Sequence, residues 1–160
     1  MPLRLCLLIH ELISKEKTFT NYLRAFAIWL LLMGAEVIHG TLRTMFLVPA
    51  IGDFKARQIS VFTGSMVILT IAFFSIRWIR AKNSNHFLAI GFLWLFLTLT
   101  FEICLGRYIF GYSWQKIGED YNLLQGGLLP LGLLILTLSP LIATRLHSLF
   151  LKNRGTNRPV

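Results

Sequence analysis

Four long apolar blocks, separated by short polar stretches, dominate the pattern of hydrophobic and polar positions along the chain. A helix needs about 20 apolar residues to cross a bilayer core of about 30 Å, and each block is close to this length. The blocks cover about residues 23–48, 59–78, 87–110 and 123–143. The pattern therefore predicts an all-α membrane protein whose four transmembrane helices form a bundle.

The composition supports this prediction. Of the 160 residues, 55% are hydrophobic and 14% are charged, and the mean hydropathy is +0.64. A typical soluble domain has roughly a quarter of its residues charged. We therefore expect the lipid bilayer to be the main partner of the chain.

The segment before the first block carries an apolar run that is too short to span a membrane. In a helix its apolar residues would fall on one side, namely Leu5, Leu8, Ile9, Leu12 and Ile13. Such a face is typical of a helix that lies in the membrane interface. Residues 1–22 are therefore predicted to form a short interfacial helix at the cytoplasmic leaflet.

Two matched sets of residues indicate an internal repeat. Glu36 and Glu102 are 66 positions apart, and so are Gly40 and Gly106. We predict two tandem helical hairpins, and because each holds two helices, both run in the same direction as a parallel repeat. The predicted order after the N-terminal segment is hairpin 23–80, cytoplasmic loop 81–86, hairpin 87–146 and basic cytoplasmic tail 147–160.

The net charge of +9 raises the question of nucleic-acid binding. The basic residues sit at the ends of the apolar blocks and form no continuous stripe, so we predict no nucleic-acid partner. The N-terminal segment, middle loop and tail hold 11 Lys or Arg, whereas the other side of the four blocks holds 5. The positive-inside rule then predicts a multi-pass protein of the inner membrane with both termini in the cytoplasm.

Ionisable residues inside two blocks are the candidate site. Glu36, His39 and Arg43 are spaced by three and four residues and would share one helical face; Glu102 and Arg107 lie on the third block. An ionised side chain at the bilayer centre costs roughly 2.5–3.5 kcal/mol on insertion scales, so these residues should face the bundle interior.

Two interpretations of these charges remain open. In the structural one, the two glutamates pair with Arg43, Arg107 and His39. In the functional one, a glutamate binds a proton or a cation and His39 relays the proton. Uncharged polar residues of the second and fourth helices would extend the lining: Gln58, Ser60, Thr63, Ser65 and Gln125. In the functional interpretation a kink at Pro130 opens a cavity near Glu102; the alternative is that Gly and Pro are simply common in membrane helices.

No recognised catalytic or cofactor motif occurs in the chain. Residues 36–39, "EVIH", have the Glu-x-x-His form found in carboxylate-bridged metal helices, but the residue three after Glu102 is Leu105. Such sites need a second copy of this motif. We therefore predict no metal, no cofactor and no enzyme activity.

Three stretches of the sequence carry two resemblances to known kinds of protein. "GAEVIHGTLR", residues 34–43, resembles the first helix of small multidrug resistance transporters, four-helix proteins in which a glutamate exchanges protons for organic cations. This resemblance covers ten residues and implies that Glu36 is the coupling acid. "HGTLRTMFLVPAIGDFKARQISVFTGS" and "FGYSWQKIGEDYNLLQGGLLPLGLL" are similar to small bacterial four-helix inner-membrane proteins, which implies that location.

The sequence thus leaves two functional hypotheses. The first is a small proton- or ion-coupled transporter or channel-like protein that carries a small ion or polar solute. The second is a non-catalytic membrane subunit or assembly protein whose intramembrane salt bridges are structural. A homo-oligomer or a membrane-protein partner is compatible with either hypothesis.

Overall fold

The helices of the chain account for almost all of its described backbone. The computed structural model describes residues 2–79, 84–123 and 127–156, and all regular secondary structure within these ranges is helical. The elements are α1 (Pro2–Leu42), a π-helical turn (Arg43–Leu47), α2 (Val48–Ile51), α3 (Asp53–Ile79), α4 (Ser84–Cys104), a second π-helical turn (Leu105–Ile109), α5 (Trp114–Tyr121) and α6 (Leu129–Thr156).

Four helical stretches are long and apolar enough to cross a membrane: Lys15–Ile51, Asp53–Ile79, Ser84–Ile109 and Leu129–Leu149. In the window that identifies each stretch, between 22% and 33% of the residues are buried. Most of the apolar side chains therefore face outward, where lipid rather than water is the solvent that suits them. The predicted fold class, all-α with four helices of membrane-spanning length, is confirmed.

The N-terminal segment is helical, but it is not a separate helix. α1 runs without a break from Pro2 to Leu42, so the predicted short interfacial helix is corrected to an extension of the first membrane helix. Residues 14–22 contain neither glycine nor proline to end a helix,. Inside this stretch the Thr20 hydroxyl donates to the Glu16 carbonyl at 2.9 Å, in the i to i−4 manner of a continuous helix.

The second membrane helix begins earlier than its apolar pattern suggested. α3 starts at Asp53 because the break between α2 and α3 is a single residue, Gly52, whose φ of 83° favours glycine,. Arg57 and Asp53 form an ion pair of 2.8 Å across the first turn of α3. The polar stretch that looked like a loop is therefore the start of a helix.

The last membrane helix begins later and ends later than predicted. α6 starts at Leu129 and continues to Thr156, so the predicted tail is helical as far as residue 156. Pro130 lies in the first turn of α6, where a helix accepts proline without losing a hydrogen bond. The start of α6 therefore accommodates Pro130, and the proline inside the helix is Pro140.

The connection between α4 and α6 contains a short helix that the apolar pattern did not predict. α5 begins after Ser113, whose hydroxyl accepts a hydrogen bond from the Lys116 backbone N–H at 3.2 Å. This is the usual N-cap arrangement. After α5, the Gly127 N–H donates to the Asn122 carbonyl at 2.9 Å, which places the start of α6 next to the end of α5.

The helices pack in the order α1, α3, α6 and α4 around the bundle. α3 contacts both α1 and α6, while α4 contacts α6 along much of its length and α1 over a shorter stretch. Each predicted hairpin has a first helix that ends in a five-residue π-helical turn. The internal repeat itself remains a prediction.

Two contacts at different heights along the bundle show that α1 and α3 are antiparallel. The Arg24 guanidinium donates to the Trp78 carbonyl at 3.1 Å, in the last turn of α3. Further along α1, His39 contacts Thr63 near the middle of α3. Residues 2–23 of α1 therefore extend about 33 Å past the end of α3, at 1.5 Å per residue.

Two tryptophans join α1 to α4 deep in the bundle. The Trp29 indole donates to the Thr98 hydroxyl at 3.0 Å, and the Trp94 indole donates to the Ala25 carbonyl at 2.8 Å. Both side chains are buried. Because each hydrogen bond joins residues 69 positions apart, the two helices run parallel.

The hydrophobic core fills one half of the bundle, which we call the core half. It takes its buried side chains from 25–33 of α1, 68–79 of α3, 87–94 of α4 and 136–143 of α6. The other half, which we call the polar half, comprises residues 36–51, 53–65 and 101–121 and the start of α6. The predicted site residues that the structure describes fall in this polar half.

Candidate proton-binding site

The register of α1 explains why Glu36 faces another helix rather than lipid. The buried side chains of α1 recur every three or four residues, at Ala25, Ile28, Trp29, Leu32 and Met33. Glu36 is the next position in this series, since residues three and four apart share a helical face. Opposite it on α3 lies Gly64, whose missing side chain leaves room for the carboxylate.

Glu36, His39 and Thr63 form a chain of three polar groups across the seam between α1 and α3. The Glu36 Oε2 atom lies 3.5 Å from Nδ1 of His39, and Nε2 of the same imidazole lies 2.8 Å from the Thr63 hydroxyl. The side chains of Glu36 and His39 are 28% and 23% exposed. The imidazole thus bridges a carboxylate on one helix and a hydroxyl on the other.

The Thr63 hydroxyl has three alternative acceptors for its one hydrogen, one on His39 and two on its own helix. It lies 2.8 Å from Nε2 of His39, and 3.2 Å and 3.3 Å from the carbonyl oxygens of Ile59 and Ser60. If it donates to Nε2, a neutral imidazole has its proton on Nδ1, facing an ionised Glu36. If it donates to a carbonyl, Nε2–H donates to the hydroxyl oxygen, and a proton lies between Nδ1 and Glu36.

These two arrangements differ by one proton and keep every hydrogen bond of the chain. In the second arrangement the added proton is on the carboxyl group or on the imidazole, and in both cases it is shared across the contact between Glu36 and His39. Turning the Thr63 hydroxyl from the imidazole to its own helix accommodates the change. The geometry can therefore take up and release a proton without rearranging the helices.

Two buried polar atoms near this chain have no hydrogen-bond partner within the described part of the protein: Oε1 of Glu36 and the hydroxyl of Ser60. Buried polar groups are hydrogen-bonded in the great majority of cases, so each exception calls for a reason. The Ser60 hydroxyl is unusual because other helical hydroxyls, such as those of Ser65 and Thr70, donate to carbonyls of their own helix. Ser60 is one turn before Gly64, on the face of α3 that meets Glu36.

The structure brings together only some of the predicted site residues. Among the described charged residues, His39 is the one that acts on the Glu36 carboxylate. Arg43 lies in the π-helical turn, near enough to Asp53 to act on that carboxylate. Of the pairs that the structural interpretation requires, the contact between Glu36 and His39 is present, and Arg43 acts on Asp53.

The remaining predicted residues lie elsewhere. Arg107 donates to the Tyr112 carbonyl at 3.1 Å and stacks over the Trp114 ring at 5.7 Å. Glu102 is half-buried on α4. Gln58 lies about 160° around α3 from Ser60, at 100° per residue. Gln125 lies outside the described residues.

Gly64 is the residue of this site that the sequence did not reveal. Ser60 and Thr63 were expected in the polar lining, but nothing in the sequence marked the glycine beside them. The spacing could have indicated Gly64. Thr63 and Gly64 lie three and four residues after Ser60 on α3, and the site residues of α1 are also spaced by three and four residues. That spacing predicts a shared face, but not which face of the other helix it meets.

Other kinds of site find less support in the described residues. They contain no group of three or more His, Cys, Asp or Glu side chains placed to hold a metal ion. A small pocket near the other end of the bundle contains none of the predicted site residues and is lined by Thr18, Asn21, Tyr22, His86 and Ile90. The chain of Glu36, His39 and Thr63 is therefore the candidate site.

Comparison with known proteins gives no relative from which to transfer a function. No protein-family model, curated protein sequence or solved structure matches this chain. The functional conclusion therefore depends on the geometry of the site.

Proposed function

We propose that this protein is a small membrane transporter or channel-like protein in which Glu36 and His39 bind and release a proton as a small ion or polar solute crosses the bilayer. The observation that carries the proposal is the chain from the Glu36 carboxylate through His39 to Thr63. It accommodates one additional proton without losing a hydrogen bond. Ionisable residues within membrane helices commonly mark proton relays and ion pathways.

Two features of Glu36 favour binding over a purely structural role. Its charged neighbour among the described residues is a histidine rather than an arginine, so the carboxylate has no permanently charged partner there. Its Oε1 atom is buried without a hydrogen bond, which is costly for a group kept only to hold helices together. A residue that destabilises its surroundings is typical of a functional site.

We propose the inner membrane of a bacterium as the location, with both termini in the cytoplasm. The excess of Lys and Arg on the side of the termini, 11 against 5, supports this orientation. The polar half of the bundle would then face the outside. The resemblance of residues 34–43 to small multidrug resistance transporters supports the same role for Glu36 and suggests organic cations as one class of solute to test.

Proton flux through the purified protein tests the proposal. The protein is reconstituted into liposomes that contain a pH-sensitive dye, and a potassium gradient with valinomycin sets the membrane potential. We expect proton entry above that of protein-free liposomes, and Glu36→Gln should reduce it to the protein-free rate. The matched control is Glu119→Gln, which removes a half-exposed carboxylate paired with Lys116 at 3.5 Å and should leave the flux unchanged.

Two results would contradict the proposal: wild-type flux no greater than that of empty liposomes both with and without an added organic cation, or normal flux in Glu36→Gln. Circular dichroism and gel filtration establish that both variants fold. The second hypothesis, a non-catalytic membrane subunit, would then lead. The extension of α1 past the end of α3 favours that alternative, because it offers a partner a helical segment that α3 does not cover.

A further inference from the structure

We infer that Gly64 positions the Glu36 carboxylate for the proposed proton transfer. The inference rests on the proposed function and adds a residue of α3 that contributes no polar atom of its own. Gly64 is buried and lies directly against the pair formed by Glu36 and His39. It acts by leaving space, so its role appears only when a side chain is added.

The available space is smaller than one methyl group. A Cβ atom at position 64 would lie 2.9 Å from Oε2 of Glu36 and 3.4 Å from Oε1. It would also lie 3.3 Å from Cε1 of His39. The first distance is shorter than real Cβ atoms accept, so the carboxylate must move, whereas the imidazole needs to shift by only a few tenths of an ångström.

The atom that must move is the one that contacts the imidazole. Oε2 of Glu36 is 3.5 Å from Nδ1 of His39, at the limit of a useful polar contact. Any displacement away from position 64 changes this separation, while the shorter contact of His39 with Thr63 can remain. Gly64 therefore sets the distance over which the shared proton moves.

Other glycines show that this effect is specific to position 64. Added Cβ atoms at Gly34 and Gly40 of α1 and at Gly132 of α6 would meet nothing within 4 Å in the described structure. Gly40 is one turn beyond Glu36 on the same helix, and it serves as the matched control. An alanine there gains helix propensity without touching the site.

The test combines proton flux with a spectroscopic signature of His39. The flux assay in liposomes is repeated for Gly64→Ala and Gly40→Ala, and the imidazole ¹⁵N resonances are recorded by NMR. The chain has four histidines, and the His39→Gln variant assigns the signal. We expect Gly64→Ala to lower the flux by about tenfold or more, since misplacing a reacting group by 1 Å can cost about a hundredfold.

The same variant should move the His39 resonance, while Gly40→Ala should change neither flux nor resonance. The double variant Gly64→Ala with Glu36→Asp should recover part of the flux lost in Gly64→Ala, because the shorter carboxylate vacates the space that the methyl group fills. Wild-type flux with an unshifted His39 signal in Gly64→Ala would overturn the inference. Equal flux in Gly64→Ala and in the double variant would overturn it as well.

Failure of the inference and failure of the proposed function give different results. If Glu36→Gln has normal proton flux but Gly64→Ala still moves the His39 resonance, the proposed function fails, and the inference that Gly64 positions Glu36 holds. If Glu36→Gln abolishes flux while Gly64→Ala matches the wild type in both readouts, only the positioning fails. Should Gly64→Ala not fold, adding Glu36→Ala removes the displaced group and should restore folding; a double variant that also fails to fold would contradict the inference.

Discussion

The two halves of the bundle differ in whether their buried polar atoms have hydrogen-bond partners. In the core half the buried indole groups of Trp29 and Trp94 both have hydrogen-bond acceptors on the neighbouring helix. In the polar half, buried atoms of Glu36 and Ser60 have none among the described residues. The first half therefore follows the rule for stable membrane helices, and the second departs from it where ionisable groups are present.

Two glycines, one in each half, differ in what an added Cβ atom would meet. A Cβ at Gly91, in the core half, would overlap the Thr137 carbonyl oxygen, a backbone atom of α6. A Cβ at Gly64, in the polar half, would meet the end of the Glu36 side chain. Backbone is held by the whole helix, whereas a carboxylate can rotate away. The first glycine should therefore govern stability and the second should govern function.

The largest effect should come from Gly91→Ala. Because the added methyl group meets backbone, α4 and α6 must separate, and overpacking of this kind costs about 3 kcal/mol or more when nothing can yield. We expect a matching drop in the free energy of unfolding, measured by titration with a denaturing detergent. The control Gly34→Ala, which has open space, should gain up to about 1 kcal/mol from helix propensity. Equal effects of the two substitutions would break the contrast between the halves.

A smaller loss is expected from Thr98→Val. Valine keeps the shape of the side chain but removes the acceptor of the Trp29 indole, which is left buried without a partner. The cost should be about 1–2 kcal/mol, given the range measured for such groups in soluble and membrane proteins. Thr100→Val is the control, since the exposed Thr100 hydroxyl donates only to its own helix, at the Phe96 carbonyl. A similar loss in both variants would mean that the indole hydrogen bond contributes little.

The sequence was informative about the core half and incomplete for the polar half, for a physical reason. Long apolar blocks report membrane helices directly, since the bilayer sets their length. Helix ends depend on local geometry instead. Gly52 interrupts the helix for a single residue, and the polar residues after it already belong to α3. A pattern of apolar residues cannot show that these polar residues are helical.

The site was predictable only along one helix. The three-residue spacing of Glu36 and His39 predicted their contact, because both lie on α1. The contact of His39 with Thr63 depends on how α1 and α3 slide against each other, and no local pattern fixes that register. The partner of Arg43 could not be predicted for the same reason. The π-helical turn places Arg43 near Asp53, on another helix.

The smallest change in stability should come from Glu36→Gln, the substitution expected to abolish proton flux. Breaking a buried ion pair by removing one partner typically costs about 3–5 kcal/mol, because the other charge is left uncompensated. Here the partner is a histidine, which can lose its charge, and the carboxylate already has one unsatisfied buried oxygen. Replacing it with a neutral amide removes the cost of burying a charge and offsets the lost attraction to His39. We expect the free energy of unfolding to change by less than about 1 kcal/mol.

The measurement is detergent-induced unfolding of Glu36→Gln, His39→Gln and the double variant. If the pair is kept for proton binding, the single substitutions should each have little effect, and the double variant should equal their sum. A loss of about 3 kcal/mol or more in either single variant, recovered in part by the double variant, would mean that the contact holds α1 to the bundle. The polar half would then be stabilised by its charges as the core half is by its packing, and the structural interpretation of Glu36 would replace the functional one.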